Sequence, residues 1–196
     1  MANIKSELKL NHTILFTMPS GEYNKNIVDV ARALSGNVCY ITTNKTLDSL
    51  RENFTKKKVN MKDIIFIDTI SKAMMKVPDQ SEGVYYVSSP GALTELSLVV
   101  KKFLKHEFDY LVFDAVTNLL TYQSVNMCSK FVADLVDKVK KSKTRSVFYA
   151  IESAENEAMI SKVGTVVDKV IGGKIVKSPV TSLEKVEKLK TKKELQ

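Results

Sequence analysis

The sequence is poor in several residue types that mark particular classes of protein. Its 196 residues include two cysteines, two histidines, four prolines, seven glycines and no tryptophan. Cys39 and Cys128 fall in an apolar strand pattern and an amphipathic helix pattern, so we expect two reduced, buried thiols and no disulfide. Apart from His12 and His106 there is no histidine, and no cysteine or histidine pair has ligand spacing. This argues against a structural zinc site and against a histidine-based catalytic triad.

Long hydrophobic runs are also missing. The longest, such as residues 64–67 and 13–18, fall far below the roughly 18 apolar residues that a membrane-spanning helix needs. Residues 1–11 are polar, with scattered lysine and glutamate, and lack the apolar core of a secretory signal. We therefore expect a cytoplasmic protein with no membrane partner.

The charge balance is basic, with a formal net charge of +8. Such a surface can attract nucleic acid, anionic membranes or acidic partners through the same long-range field. The lysines cluster in residues 56–58, in residues 138–143 with Arg145, and in residues 185–193, at predicted helix ends and loops. Because lysine predominates over arginine, we favour a solvated surface, with nucleic acid as the alternative partner.

Hydrophobic periodicity predicts strands that alternate with helices. The β-rich apolar runs cover residues 13–18, 38–42, 64–68, 84–87, 110–114 and 146–151. Apolar residues with helical spacing recur between them, at Ile27, Val28, Ala31 and Leu34, at Leu93, Leu96, Val100, Phe103 and Leu104, and at Phe131, Leu135, Val136 and Val139. This alternation predicts an α/β fold whose mainly parallel sheet is covered by helices on both faces.

Glycine and proline predict the element boundaries. The tripeptide at residues 35–37 should end the first helix, and Pro90 with Gly91 should open a helix that runs to His106. A last strand is predicted over residues 169–176, interrupted by glycines at 172 and 173.

The predicted organisation is one domain over residues 1–176, in which residues 1–11 form a polar lead-in. Residues 69–83 should be an irregular excursion. Residues 177–196 are predicted to be a lysine-rich helix or tail.

The loop after the first strand has the layout of a phosphate-binding loop. The segment TILFTMPSGEYNKNIVDVARAL predicts a strand, a tight loop with Pro19, Ser20 and Gly21, and an amphipathic helix. In such loops glycines let backbone N–H groups wrap a phosphate, and a lysine and a Ser/Thr contact the phosphates and magnesium.

The other strand ends carry a family resemblance. The phrase YITTNKTLDSL resembles the second strand and following helix of KaiC-like proteins, and SSPGALTELSLVV followed by FDYLVFDAVTNLLTY resembles their serine-proline helix start and Walker B strand. RSVFYAIESAENEAMI and VVDKVIGG complete the series in order. About residues 12–176 therefore resemble archaeal KaiC-like members of the RecA superfamily. This implies a three-layer RecA-like fold of the P-loop NTPase type.

The resemblance fails in the phosphate-binding loop. With Pro19 and Gly21 matched to the family loop, Met18 and Tyr23 stand at glycine positions, Asn24 at the lysine and Lys25 at the Ser/Thr. Side chains at glycine positions block the close approach of a phosphate.

A shift of one residue does not restore the loop. Lys25 then becomes the lysine, but Pro19 and Asn24 replace the two glycines and Asn26 replaces the Ser/Thr. Glu22 adds a negative charge where a triphosphate would lie. Neither register gives a working loop.

The water-activating glutamate of the family is also missing. KaiC-like proteins place it after the second strand, as in S-T-E-E, where this chain has Thr42, Thr43, Asn44 and Lys45. An amide cannot accept the proton of an attacking water. Asp114, at the end of the Walker B-like strand, is retained and could hold magnesium through water. Alternatively, it caps the following turn.

Two further polar groups have simple explanations. Glu152, Glu155 and Glu157 could supply an acid or a base, but carboxylates also suit the start of a helix. Ser88 and Ser89 could include a nucleophile, yet no G-x-S-x-G elbow is present and helix capping explains them.

Three functions follow as hypotheses. The first is a non-catalytic RecA/KaiC-like module, a pseudo-ATPase, that associates with another protein or with itself. The second is an ATP- or ADP-binding protein or slow ATPase, with magnesium, in which Asn24, Lys25 and Asp114 form an unorthodox site. It requires an open nest of N–H groups, and filling of the loop by Tyr23 and Glu22 would exclude it. The third is a nucleic-acid-binding relative of recombinases, which requires the lysine clusters to converge on one face.

Overall fold

One sheet of eight strands lies at the centre of the computed structural model, which describes residues 4–172. The strands are β1 (Thr13–Pro19), β2 (Val38–Thr42), β3 (Ile64–Asp68), β4 (Gln80–Ser81), β5 (Val84–Tyr86), β6 (Tyr110–Asp114), β7 (Arg145–Glu152) and β8 (Lys169–Ile171). Their order is β4-β5-β3-β2-β6-β7-β1-β8. Only the β4–β5 pair is antiparallel among these strands. The predicted, mainly parallel sheet is confirmed.

Helices cover both faces of the sheet. They are α1 (Ile4–Leu10), α2 (Tyr23–Ala33), α3 (Leu47–Lys56), α4 (Ser71–Met74), α5 (Leu93–Leu104), α6 (Val125–Lys140) and α7 (Glu157–Gly164). Buried residues of α1, α2 and α3 form one hydrophobic cluster, and those of α5, α6 and α7 form a second. The predicted three-layer architecture is therefore confirmed. Within residues 4–172, no helix has the length and apolar character needed to span a bilayer.

The apolar pattern accounts for these layers. All five residues of β2 are buried, as expected of a strand that is covered on both faces. The predicted apolar faces of α2 and α6 are buried as well. Cys39 on β2 and Cys128 on α6 are buried free thiols, as predicted.

Because the long strands are parallel, their ends gather at two opposite edges of the sheet. We call the edge formed by the loops that follow the strands the carboxyl edge. The amino edge consists of the loops that lead into the strands. At the amino edge, α2 ends before Gly36, as predicted, and Gly36 has a φ of 125°. The Asp109 carboxylate lies against Gly36 and accepts the N–H of Asn37 at 2.8 Å.

The polar lead-in predicted for residues 1–11 is wrong, because Ile4–Leu10 form α1. Ile4 and Leu8 are buried, and Arg145 Nη1 donates to the Leu8 carbonyl at 2.5 Å. Two apolar residues four positions apart are one turn of helix, too little for a periodic signal. Tertiary packing rather than pattern forms this helix.

The predicted start of α5 is also wrong. The helix begins at Leu93, ends at Leu104, and has no side-chain cap at Ala92. The Ser88 hydroxyl instead donates to the Glu95 carboxylate in the first turn of α5. This bond replaces the capping that was predicted for Ser88 and Ser89.

Two segments differ from their predicted form within the described residues. Residues 69–83 contain α4 and the short strand β4 rather than irregular chain only. The last strand stops at Ile171, and Gly172 follows with a φ of 94°, against the Thr17 carbonyl. The rest of the predicted strand and residues 177–196 lie outside the described residues.

Candidate functional site

The loop after β1 is a single tight turn. Residues Ser20–Glu22 form a 3₁₀ turn, and the backbone N–H of Tyr23 donates to the Ser20 carbonyl. The side chains of Ser20 and Glu22 are exposed, as is Gly21, and Pro19 is the exposed last residue of β1. A P-loop presents several free N–H groups over a longer, glycine-rich course. This chain passes from strand to helix in three residues.

Tyr23, the first residue of α2, turns its side chain into the protein. Its hydroxyl donates to Asp114 Oδ1 at 2.8 Å and Oδ2 at 2.7 Å, so both carboxylate oxygens lie within hydrogen-bonding distance. The Tyr40 hydroxyl, from β2, donates to Oδ2 at 2.6 Å. Tyr149 on β7 is buried in the same group, where the charge of Asp114 acts on it. We call these four residues the Asp114–tyrosine cluster.

Burial dominates the electrostatics of this cluster. Asp114 is 0% exposed. Loss of solvation raises the pKa of its carboxyl group to about 6, although the hydrogen bonds from Tyr40 and Tyr23 and the charge of Lys45 oppose this rise. Burial, followed by the charge of Asp114, raises the pKa of both Tyr23 and Tyr40 well above the ordinary value. At neutral pH Tyr23 and Tyr40 are therefore hydrogen-bond donors and the carboxylate is the acceptor.

Thr43 joins the ends of β2 and β6. Its N–H donates to the Asp114 carbonyl at 2.6 Å, and its hydroxyl accepts the N–H of Ala115 at 2.9 Å. The same hydroxyl lies 2.8 Å from the Ala115 carbonyl. Thr43 is buried, and the peptide bond between Asp114 and Ala115 is cis. Thr43 thus holds the backbone that carries Asp114.

Lys45 is the cation beside the cluster. Its ammonium group lies 5.5 Å from the centre of the Tyr23 ring and donates to Asn24 Oδ1 at 2.6 Å. Asn44 is exposed. A hydrogen bond from its side chain lowers the pKa of the Tyr23 phenol, against the larger effect of burial. The predicted site residues Asn24 and Asn44 therefore do lie around Tyr23.

Lys25, the other candidate for a P-loop lysine, is placed elsewhere. It is exposed and lines a groove between α2 and α3 together with Arg32 and Lys57. Asn26 is buried within α2. The structure therefore brings together Tyr23, Asn24, Asn44, Thr43 and Asp114, and leaves Pro19, Ser20, Gly21, Glu22 and Lys25 on the surface.

Two members of the cluster were missed in the sequence. Tyr40 and Tyr149 lie inside strongly apolar strands, where a tyrosine is expected to be a core residue. They stand on β2 and β7, the two strands that flank β6 in the sheet, and no local sequence pattern marks that arrangement. Asp114 does not cap the following turn, because its carboxylate oxygens accept hydrogen bonds from Tyr23 and Tyr40. Among residues 4–172 no group of three or more histidine, cysteine, aspartate or glutamate side chains could hold a metal ion.

Glu155 and Glu157 belong to local structure. Glu157 is the first residue of α7, and Glu155 lies in the 3₁₀ turn Ala154–Asn156 before it. Their interpretation as helix-start residues is confirmed. Glu152 ends β7, opposite Pro19 of β1.

Comparison with known structures identifies the class of fold. The chain is similar to a prototypical ATPase from the type III secretion system of pathogenic bacteria, with a TM-score of 0.54 and 10% sequence identity. The match covers 95% of this chain and 57% of that one, so this chain spans little more than half of that structure. The fold is a RecA-like α/β fold of the P-loop ATPase type. This match shows the fold alone, and the closer relation to KaiC-like proteins stays a prediction.

The chain belongs to a family of unknown function, DUF7090, whose match covers residues 7–177. No curated protein matches the sequence significantly.

Proposed function

We propose that this protein is a non-catalytic module of the KaiC-like branch of RecA-like proteins, a pseudo-ATPase that acts by associating with another protein or with itself. The observation that carries the proposal is the contact of the Tyr23 hydroxyl with both oxygens of Asp114, at 2.8 and 2.7 Å.

This contact opposes a magnesium site at Asp114. Mg²⁺ requires oxygen ligands at about 2.0–2.1 Å in near-octahedral geometry and usually keeps several of its waters. Asp114 is fully buried and its oxygens accept hydrogen bonds from Tyr23 and Tyr40. An ion and its waters would have to displace these phenols from the buried carboxylate.

The neighbouring positions offer no replacement for the lost chemistry. The Thr43 hydroxyl is hydrogen-bonded to the backbone of Asp114 and Ala115. Asn44 has an amide at the position where KaiC-like proteins have a general base. The side-chain oxygen of Asn24 already accepts a hydrogen bond from Lys45, and Lys25 lies in the groove between α2 and α3. These contacts weigh against the alternative of a slow ATPase built on Asn24, Lys25 and Asp114.

Association is supported by side chains that are exposed at the carboxyl edge. Met74 and Met75 follow β3, while Tyr122 and Met127 follow β6, and all four are exposed large apolar residues. Methionine and tyrosine are enriched at protein interfaces relative to the rest of the surface. The carboxyl edge is therefore the surface that we assign to a protein partner or to a second copy.

Calorimetric titration of Mg-ATP and Mg-ADP into the protein tests whether the magnesium-nucleotide site has been lost. We expect no magnesium-dependent heat and no thermal stabilisation at millimolar nucleotide, both in the wild type and in Asp114→Asn. Saturable micromolar binding that requires magnesium and disappears in Asp114→Asn would contradict the proposal.

Sedimentation velocity tests the self-association alternative. The variant Tyr122→Ser/Met127→Gln should shift the protein towards monomer, whereas Leu98→Gln, which changes an exposed apolar residue in the middle of α5, should not. A wild type that is monomeric at all concentrations leaves a different protein as the partner. Equal effects of the two variants would remove the carboxyl edge from consideration.

A further inference from the structure

The amino edge collects lysines that are far apart in the sequence. In this fold the helices run antiparallel to the strands, so their C-terminal ends, where lysine is favoured, reach the amino edge. The lysines after α3, after α5 and after α6 lie in the loops that enter β3, β6 and β7. In the sheet these strands stand in the order β3-β2-β6-β7. With neighbouring strands about 4.8 Å apart, the three loops enter the sheet within about 15 Å of one another.

Most acidic side chains of this edge are already engaged, and Asp63, exposed just before β3, is the exception among those in the loops that enter β3, β6 and β7 within residues 4–172. Glu107 pairs with Lys143 at 2.9 Å, Asp137 pairs with Lys141 at 2.6 Å, and the carboxylate of Asp109 accepts the N–H of Asn37. Several exposed lysines of the edge have no acidic partner within residues 4–172. Those in α5 and in the loops after α3 and α5 are Lys57, Lys58, Lys62, Lys101, Lys102 and Lys105.

The arginines of this edge have a different role. The Arg32 guanidinium donates to the carbonyl of Lys57, and that of Arg145 donates to the carbonyl of Leu8. Both arginines therefore hold backbone, and most of the exposed positive charge of the edge is carried by lysine. Lysine contacts phosphate as a point charge on a flexible stem, without the bidentate fork that reads base edges.

We propose that the amino edge binds the phosphate backbone of nucleic acid without sequence preference. The unpaired lysines flank the sheet on both sides, because α3 covers one face and α5 covers the other. Leu10 is the one exposed large apolar side chain that the described residues place at this edge. Insertion into a membrane interface needs a larger apolar face. A polyanion that requires only charge fits the surface better.

Fluorescence anisotropy with labelled single-stranded and duplex oligonucleotides of mixed sequence tests the proposal. The test variant is Lys62→Glu/Lys102→Glu/Lys105→Glu. The matched control is Lys76→Glu/Lys130→Glu/Lys162→Glu, which changes the net charge equally and reverses three exposed lysines whose ammonium groups lie away from the amino edge, that of Lys162 at Asn126 in the first turn of α6. Both are made in the full chain, so that residues 173–196 contribute equally.

We expect the wild type to bind both oligonucleotides at about 50 mM salt and to lose affinity steeply towards about 200 mM. The edge variant should bind at least about tenfold more weakly. Its log–log salt slope should be shallower by about two for single strands and about three for duplex. The control variant should stay close to the wild type.

Three outcomes would overturn the proposal. The first is no binding at low salt, and the second is an equal loss in the two triple variants, which would indicate bulk charge only. The third is tighter binding to phosphatidylserine vesicles with the same dependence on Lys62, Lys102 and Lys105, which would assign the edge to a membrane surface. Circular dichroism confirms folding, and the same triple changed to glutamine replaces the glutamate variant should that fail to fold.

Discussion

The polar groups at the two edges of the sheet have opposite environments. At the carboxyl edge, Asp114 is buried and its oxygens accept hydrogen bonds from tyrosines of the same chain. At the amino edge, lysines such as Lys102 and Lys105 are exposed and have no acidic partner within residues 4–172. In open α/β sheets ligands bind at the carboxyl edge. Here tyrosines of the same chain occupy Asp114 at that edge, whereas Lys102 and Lys105 lie at the opposite edge.

The largest expected effect is the loss of both phenols at the carboxyl edge. Tyr23→Phe/Tyr40→Phe keeps the rings but leaves a buried carboxylate without these donors, so we expect a loss of about 3–5 kcal/mol in the free energy of unfolding at pH 7.5. Urea denaturation measures it. The loss should be smaller at pH 5, where the carboxyl group of Asp114 is protonated.

The control for this variant is Tyr85→Phe/Tyr110→Phe. These two tyrosines are partly exposed, and neither hydroxyl makes a hydrogen bond within residues 4–172. The control should lower the free energy of unfolding far less. A similar cost in both double variants would mean that the Asp114–tyrosine cluster has no special energetic role.

The second effect is a pH dependence that comes from Asp114. Its folded pKa is about 6, above the value of about 3.9 expected in the unfolded chain. Between these values the folded protein keeps a proton that the unfolded chain has lost. The contribution is therefore fully present below about pH 4 and is lost as the pH rises through 6, a decline of about 2–3 kcal/mol.

Denaturation of the wild type and of Asp114→Asn from pH 4 to pH 7.5 isolates this contribution. The difference between the two stability curves should fall across that window, because asparagine does not titrate. A difference that does not change with pH would show that Asp114 is not a buried, titrating group.

A smaller effect is expected at the junction between β2 and β6. Thr43→Val removes the hydroxyl that accepts the Ala115 N–H and leaves that buried amide without its partner, at a cost of about 1–3 kcal/mol. Thr43→Ser keeps the hydroxyl and should cost less. An unfolding midpoint of Thr43→Ser below that of Thr43→Val would show that the methyl group of Thr43 contributes more than its hydroxyl.

The smallest effect should come from the amino edge. Lys62→Glu/Lys102→Glu/Lys105→Glu should change the unfolding temperature by no more than about 2 °C, because these side chains contact no acidic group within residues 4–172. Differential scanning calorimetry measures it. A large loss would show that these lysines stabilise the fold and would weaken the contrast between the edges.

The layered fold was predictable because its strands and helices are long, strongly periodic segments. Asp114 was predictable for the same reason, since it ends an apolar strand. Its partners were not, because Tyr23 and Tyr40 lie 91 and 74 residues away in sequence and look like ordinary core residues. The start of α5 at Leu93, with Ser88 bonded to Glu95, was not predicted because sequence patterns locate helix ends only to within a few residues.

The position of β1 in the sheet has a consequence for synthesis of the chain. Both neighbours of β1 are made late, since Thr13 aligns with Ser146 of β7 and Ile14 aligns with Lys169 of β8. At roughly 5–20 residues per second, β1 leaves the ribosome on the order of ten seconds before its first partner strand. Its apolar side chains must stay soluble during that interval, so completion of the sheet is expected only when nearly the whole domain has emerged.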